Sequence, residues 1–245
     1  MRKLIVAVLV MLCFAVKAEE IIDHARQRSI PVDISLPAAS EQCAQASKCL
    51  VAFVSAGYGV SHTRYQFLVD VLTEQGFLVV AIGHELPSDP PLSVTGNLFE
   101  TRAENWARGA KTLSFVRETL GSRYPGYDFD HITLVGHSNG GDISAWLTRQ
   151  SPHYVDAIIT LDHRRVPLPR SEKINVLSLR ASDFDADAGV LPSSSEQQHY
   201  RSCVIKMANA RHNDMTDLGP AWLKLELQRM IRQWLQGSST CGLSV

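Results

Sequence analysis

Ile132-Thr133-Leu134-Val135-Gly136-His137-Ser138-Asn139-Gly140-Gly141 is the stretch on which the fold turns. A short apolar, β-branched run ends in Gly-x-Ser-x-Gly, and a helical pattern follows at once. Strand, very tight turn and helix in that order are the context of a nucleophile elbow, which holds a serine hydroxyl at the carboxyl edge of a sheet. Gly136 and Gly140 leave room for the strained turn, because a Cβ at either flank would crowd neighbouring backbone. Ser138 is the candidate nucleophile. The N–H of Asn139, at the start of the helix, would point where an oxyanion forms. A chance Gly/Ser turn is the plain alternative, and the flanking strand and helix weigh against it.

Outward from the elbow, apolar runs alternate with helical patterns. Residues 20–25 and 30–36 read as two short strands around a polar turn. Residues 50–55 (Leu-Val-Ala-Phe-Val-Ser) and 77–82 are almost wholly apolar, as strands buried on both faces are. Residues 156–161, 174–179 and 203–207 continue the strand series, with helices over 65–75, 103–120, 141–150 and 218–235. Residues 83–101 carry Pro87, Pro90 and Pro91 and read as a long loop. Strands alternating with helices predict an α/β domain, a mostly parallel sheet of about eight strands covered on both faces.

The 245 residues, 45% of them hydrophobic, suit one compact domain. Its first residues read differently. Arg2 and Lys3 precede an apolar run over 4–16, too short to span a bilayer comfortably, and Val16-Lys17-Ala18 offers a cleavage site. The expectation is a signal peptide over 1–18 and a catalytic domain over 19–245, exported to the periplasm or beyond. Cleavage leaves 21 basic residues against 25 acidic ones, with no basic surplus for nucleic acid or an anionic membrane. It also leaves Cys43, Cys49, Cys203 and Cys241, an even number in an oxidising compartment. Three pairings are open. Chain proximity favours Cys43–Cys49 and Cys203–Cys241, worth about 2 and 4 kcal/mol by loop entropy. Their spacing is wrong for zinc.

The chain resembles an α/β-hydrolase over nearly the whole mature length. It is most similar to small secreted esterases of the dienelactone hydrolase, chlorophyllase and platelet-activating-factor acetylhydrolase kind. The resemblance rests on Asp23-His24-Ala25-Arg26-Gln27-Arg28-Ser29-Ile30-Pro31-Val32, on Ser55-Ala56-Gly57-Tyr58-Gly59, on the elbow, and on a downstream Asp and His. It implies a serine, an acid and a histidine in that chain order. His212, in the loop after the last strand, stands where the base is expected; His24, His131, His137, His153 and His199 read as surface or structural residues. Asp183, leaving the carboxyl end of the 174–179 strand, is the favoured acid, with Asp162 after the preceding strand as the alternative. The second oxyanion donor is expected from the loop after residues 50–55. The family's His-Gly is Ala56-Gly57 here, and the N–H of Tyr58 is the candidate.

Three clusters take plainer readings. Asp183-Phe184-Asp185-Ala186-Asp187 looks like the start of a calcium loop, but Ala188 holds the glycine position and Ser194 the bidentate glutamate position, so no metal is expected. Arg164, Arg165 and Arg170 read as a charged loop, with a grip on an anionic substrate as the sharper alternative. His84-Glu85 opens the loop that would shape a pocket. Only residues 163–173 separate Asp162 from the next strand, which leaves no room for a large cap. The expected activity is ester hydrolysis on a small molecule by a monomer without a cofactor. A thioesterase, transacylase, peptidase or non-catalytic binding homologue are the alternatives.

Overall fold

The computed structural model describes residues 16–150, 152–237 and 241. Residues 1–15 of the expected leader lie outside them, and Val16 to Ala18 open the first strand.

Eight strands form a single sheet in the order β1-β2-β4-β3-β5-β6-β7-β8. They are β1 (Val16–Asp23), β2 (Arg28–Ser35), β3 (Cys49–Ser55), β4 (Phe77–Ile82), β5 (Tyr127–His137), β6 (Val155–Leu161), β7 (Asn175–Arg180) and β8 (Ser202–Lys206). The β1–β2 hairpin and the β2–β4 pair are antiparallel; every pair from β4 to β8 is parallel. β3 and β4 are apolar because both of their faces are covered. Along β3, Val51 and Phe53 enter one core, while Ala52 and Val54 enter the other.

The first core lies under α3 (Ala103–Arg123) and α4 (Asn139–Thr148), with Trp106 its largest fully buried side chain. The second lies under α1 (Gln66–Glu74) and α6 (Ala221–Leu235). Two further α-helices among the described residues are short. α2 (Leu98–Thr101) interrupts the loop that the prolines announce and is capped by the Asn97 side chain. α5 (Ser194–His199) starts at a full capping box, Ser193 with Glu196, a local signal that carries a helix without apolar periodicity.

β5 begins at Tyr127, five residues before the apolar run, because Tyr127 pairs with Cys49. Cys49 is also bonded to Cys43, and Cys203 to Cys241, the pairing that chain proximity favours. No helix among the described residues is long and apolar enough to cross a membrane. Residues 163–174 cross from β6 to β7 without a cap domain.

Candidate active site

The elbow explains its own glycines. Ser138 sits at φ 51° and ψ −119°, a conformation L-residues rarely adopt. A Cβ on Gly136 would meet the Gly140 carbonyl at 2.4 Å, and one on Gly140 would meet the Ser55 oxygen at 2.1 Å. A Cβ on Gly141 would meet the Cβ of His163 at 2.6 Å. Only hydrogen fits at all three. The strained turn is held from below by the Ser138 N–H, which donates to the Leu161 carbonyl at 2.9 Å.

His212 lies in a single helical turn after β8, and its Nε2 is 2.9 Å from Ser138 Oγ. Its Nδ1 is 2.6 Å from a carboxylate oxygen of Asp162. With Nδ1–H donating to Asp162, Nε2 is left to accept from the serine hydroxyl. Asp162 is fully buried and follows β6, the strand beside the elbow strand. Its other oxygen accepts from the Ala181 N–H at 3.1 Å and pairs with Arg180 at 2.8 Å. Burial alone would raise this carboxyl. The His212 hydrogen bond and the Arg180 guanidinium outweigh it and hold the acid below the usual carboxylate range.

Asp183 does not meet the imidazole. Its carboxylate accepts the backbone N–H of His212 at 2.9 Å and stays exposed. β7 stands one strand further from the elbow than β6, and its cationic end, Arg180, draws Asp162 inward while Asp183 turns to solvent. Asp185 and Asp187 have partners of their own, Lys206 and Arg165. Asp183 therefore clamps the loop that carries the ring Asp162 holds.

The groups expected on the oxyanion side are Asn139 and the loop after β3. As the first residue of α4, Asn139 has an N–H with no acceptor in the preceding turn. Its side chain is fully engaged: it accepts from Trp106 Nε1 at 2.9 Å and donates to Asn105 at 2.9 Å and Glu85 at 3.3 Å. Glu85 thus binds the long loop to the elbow, and the Tyr58 hydroxyl accepts from the Leu92 N–H of the same loop at 3.0 Å. His84 is buried on the Ser55 hydroxyl and pushed down to about 3 by burial. A cleft of about 300 Å³ opens there, lined by Gly57, Ser61, His62, His84 and Glu85. Of the 83–101 loop, only Gly83, His84 and Glu85 line this cleft.

Arg164 lies 4.4 Å over the Phe184 ring, which meets the His212 ring edge-on at 5.6 Å. Arg165 pairs with Asp187, and Arg170 donates to the carbonyls of Leu168 and Val190. The loop after β6 is pinned to α4 by Asp142, whose carboxylate accepts the N–H groups of Arg165 and Val166 at 2.8 and 2.9 Å. Sequence reasoning singled out neither Asp142, Arg180, Trp106 nor Asn105; a charged residue inside an otherwise apolar helical face was the available sign for Asp142.

No family model and no curated protein sequence matches the chain. Solved structures do. A dienelactone hydrolase-like promiscuous phosphotriesterase from metagenomic libraries is similar with a TM-score of 0.67 at 14% identity, covering 91% of this chain and 98% of that one. Esterase 2 of Thermogutta terrifontis gives 0.63 at 12% identity over 93% and 97%. A ferulic acid esterase from Streptomyces cinnamoneus gives 0.63 at 17% identity over 94% and 89%. With the sheet order, the elbow and the cross-sheet histidine, these likenesses define the class: the chain has the α/β-hydrolase fold.

Proposed function

We propose that the protein is a serine hydrolase that cleaves carboxylic esters of small molecules. The observation that carries the reading is the line Ser138 Oγ, His212 Nε2, His212 Nδ1 and Asp162, with spacings of 2.9 and 2.6 Å, at a strained strand-to-helix turn. His212 takes the Ser138 proton as the hydroxyl oxygen attacks the ester carbonyl. Asp162 stabilises the imidazolium that forms. The N–H groups of Asn139 and Tyr58 receive the oxyanion, each worth about 3 kcal/mol in the transition state. Protonated His212 then donates to the leaving alcohol, the acyl group remains on Ser138, and water activated by the same imidazole releases the acid.

The protein is exported after cleavage of a leader over residues 1–18, and its two disulfides support the oxidising compartment. Mass analysis of exported protein should find an N-terminus near Glu19; retention of Met1 would contradict the leader.

The activity test uses paraoxon, since a structural neighbour is recorded phosphorylated by it. Paraoxon should add one diethylphosphoryl group at Ser138 and stop p-nitrophenyl acetate turnover. Ser138→Ala should neither label nor turn over ester. Labelling elsewhere, or full turnover by folded Ser138→Ala, would favour a non-catalytic binding role for this site.

A further inference from the structure

His137 reads from sequence as a surface or structural residue beside the nucleophile. The structure gives it two committed ring nitrogens. Its Nδ1 is 2.9 Å from the Tyr65 hydroxyl, and its Nε2 is 3.0 Å from the backbone carbonyl of His212. The Tyr65 hydroxyl in turn accepts the N–H of Gly57 at 3.0 Å. Tyr65 is fully buried and His137 nearly so.

The hydrogens can be assigned in one way. A carbonyl only accepts, so Nε2 of His137 must carry the proton it donates to His212 O. Burial, and then the neighbouring His212, push His137 down to about 3, so the ring is neutral at ordinary pH and Nδ1 is an acceptor. The Tyr65 O–H therefore donates to Nδ1, and its oxygen is free to accept from Gly57.

We infer that Tyr65 and His137 are positioning residues, forming a directed chain from Gly57 N–H through Tyr65 and His137 to the His212 carbonyl. Its two ends are the loop that offers the oxyanion donor and the loop that carries the base. These loops follow β3 and β8, which three other strands separate. His137 links them from the residue immediately before Ser138. A Cβ on Gly57 would lie 2.9 Å from His137 Nδ1 and 3.4 Å from Ser138 Cβ, so the oxyanion loop already rests against the elbow. Tyr65 is placed by the base loop itself: Asp217 accepts the N–H groups of Gln66 and Phe67 at 2.8 and 3.1 Å, at the entry of α1.

The inference rests on the ester-hydrolase reading, and its test separates the two. Long-range 1H–15N correlation spectra of 15N-labelled protein need no turnover; His137 should appear as a single neutral Nε2–H tautomer from pH 5 to 8. Tyr65→Phe removes one oxygen, leaving Gly57 N–H without its acceptor and Nδ1 without its donor. We expect kcat to fall at least about tenfold, KM to stay within about twofold, and the His137 Nδ1 resonance to move as its donor is lost while Nε2 stays protonated on the His212 carbonyl. His137→Gln, which can keep a donor to His212 O, should retain more kcat than His137→Leu. If Tyr65→Phe fails to fold, the wild-type tautomer and the Gln–Leu difference still decide. An Nδ1–H tautomer in wild type, or Tyr65→Phe with unchanged kcat, or equal Gln and Leu variants, would overturn the inference. An inactive wild type with the stated tautomer would instead fault the ester-hydrolase reading.

Discussion

The loops that leave β6 and β7 carry Asp162 and Asp183, and both aspartates hydrogen-bond to His212. One takes the ring and is buried; the other takes the main chain and is exposed. The difference lies in the second charge. Asp162 has Arg180 at 2.8 Å as well as the imidazole, so its burial is compensated twice. Asp183 stands in an acidic string that water solvates. That second charge comes from Arg180 at the end of β7, which points to Asp162 and not to Asp183 on its own strand's loop.

Removing the buried charge should have the largest effect on stability. Asp162→Ala leaves Arg180 buried without its carboxylate and should cost about 3–5 kcal/mol in urea denaturation. Asp183→Ala removes one hydrogen bond at the surface and should cost about 1 kcal/mol or less. Equal losses would mean that the two loops share the load.

A pH series sharpens it further, because two carboxylates near the β6 loop have opposite signs. Burial pushes Asp142 up to about 6, so its stabilising contribution is full below pH 4 and is lost as pH rises through 6. Asp162 is held low, so its contribution is present above pH 4 and is lost as pH falls below that. Asp142→Asn keeps an acceptor for Arg165 and Val166 without the titration. Relative to wild type it should gain on the order of 2 kcal/mol between pH 4 and 8, read from thermal melts. A pH-independent difference would contradict the assignment of Asp142.

The smallest effect belongs to the β7 side. Phe184→Ala removes the ring under Arg164 and should lower the melting temperature by about 1–3 °C. A larger drop would show that the exposed loop carries core energy.

Much of this was legible because it is local. Gly136, Ser138 and Gly140 announce a turn whose steric logic involves residues within a few positions, and β3 and β4 announce burial by composition. Cys43 and Cys49 lie close enough in the chain to suggest their bond. The position of His212 followed from the resemblance, which expects the base in the loop after the last strand. What was not legible depends on side chains meeting across the sheet. Asp162 and Asp183 are both aspartates just beyond a strand, and it is the ion pair with Arg180 that holds the first of them in the site. Tyr65 and His137 are 72 residues apart, so nothing in either segment reports the contact. A clue was present in Leu161-Asp162-His163, where an acid directly continues the buried run 157–161, whereas Asp183 begins an exposed acidic run.

In the proposed serine hydrolase, Asp162 and not Asp183 orients the base. The direct measurement is kcat for p-nitrophenyl acetate in Asp162→Asn and Asp183→Asn beside wild type, with melting curves to establish that each is folded. Asp162→Asn should lower kcat by roughly ten-thousandfold, the scale of the same amide replacement in a serine-protease triad. Asp183→Asn should lower it less than about tenfold, since it loosens a loop without altering the imidazole tautomer. A collapse of kcat confined to Asp183→Asn, with Asp162→Asn folded and active, would contradict the account.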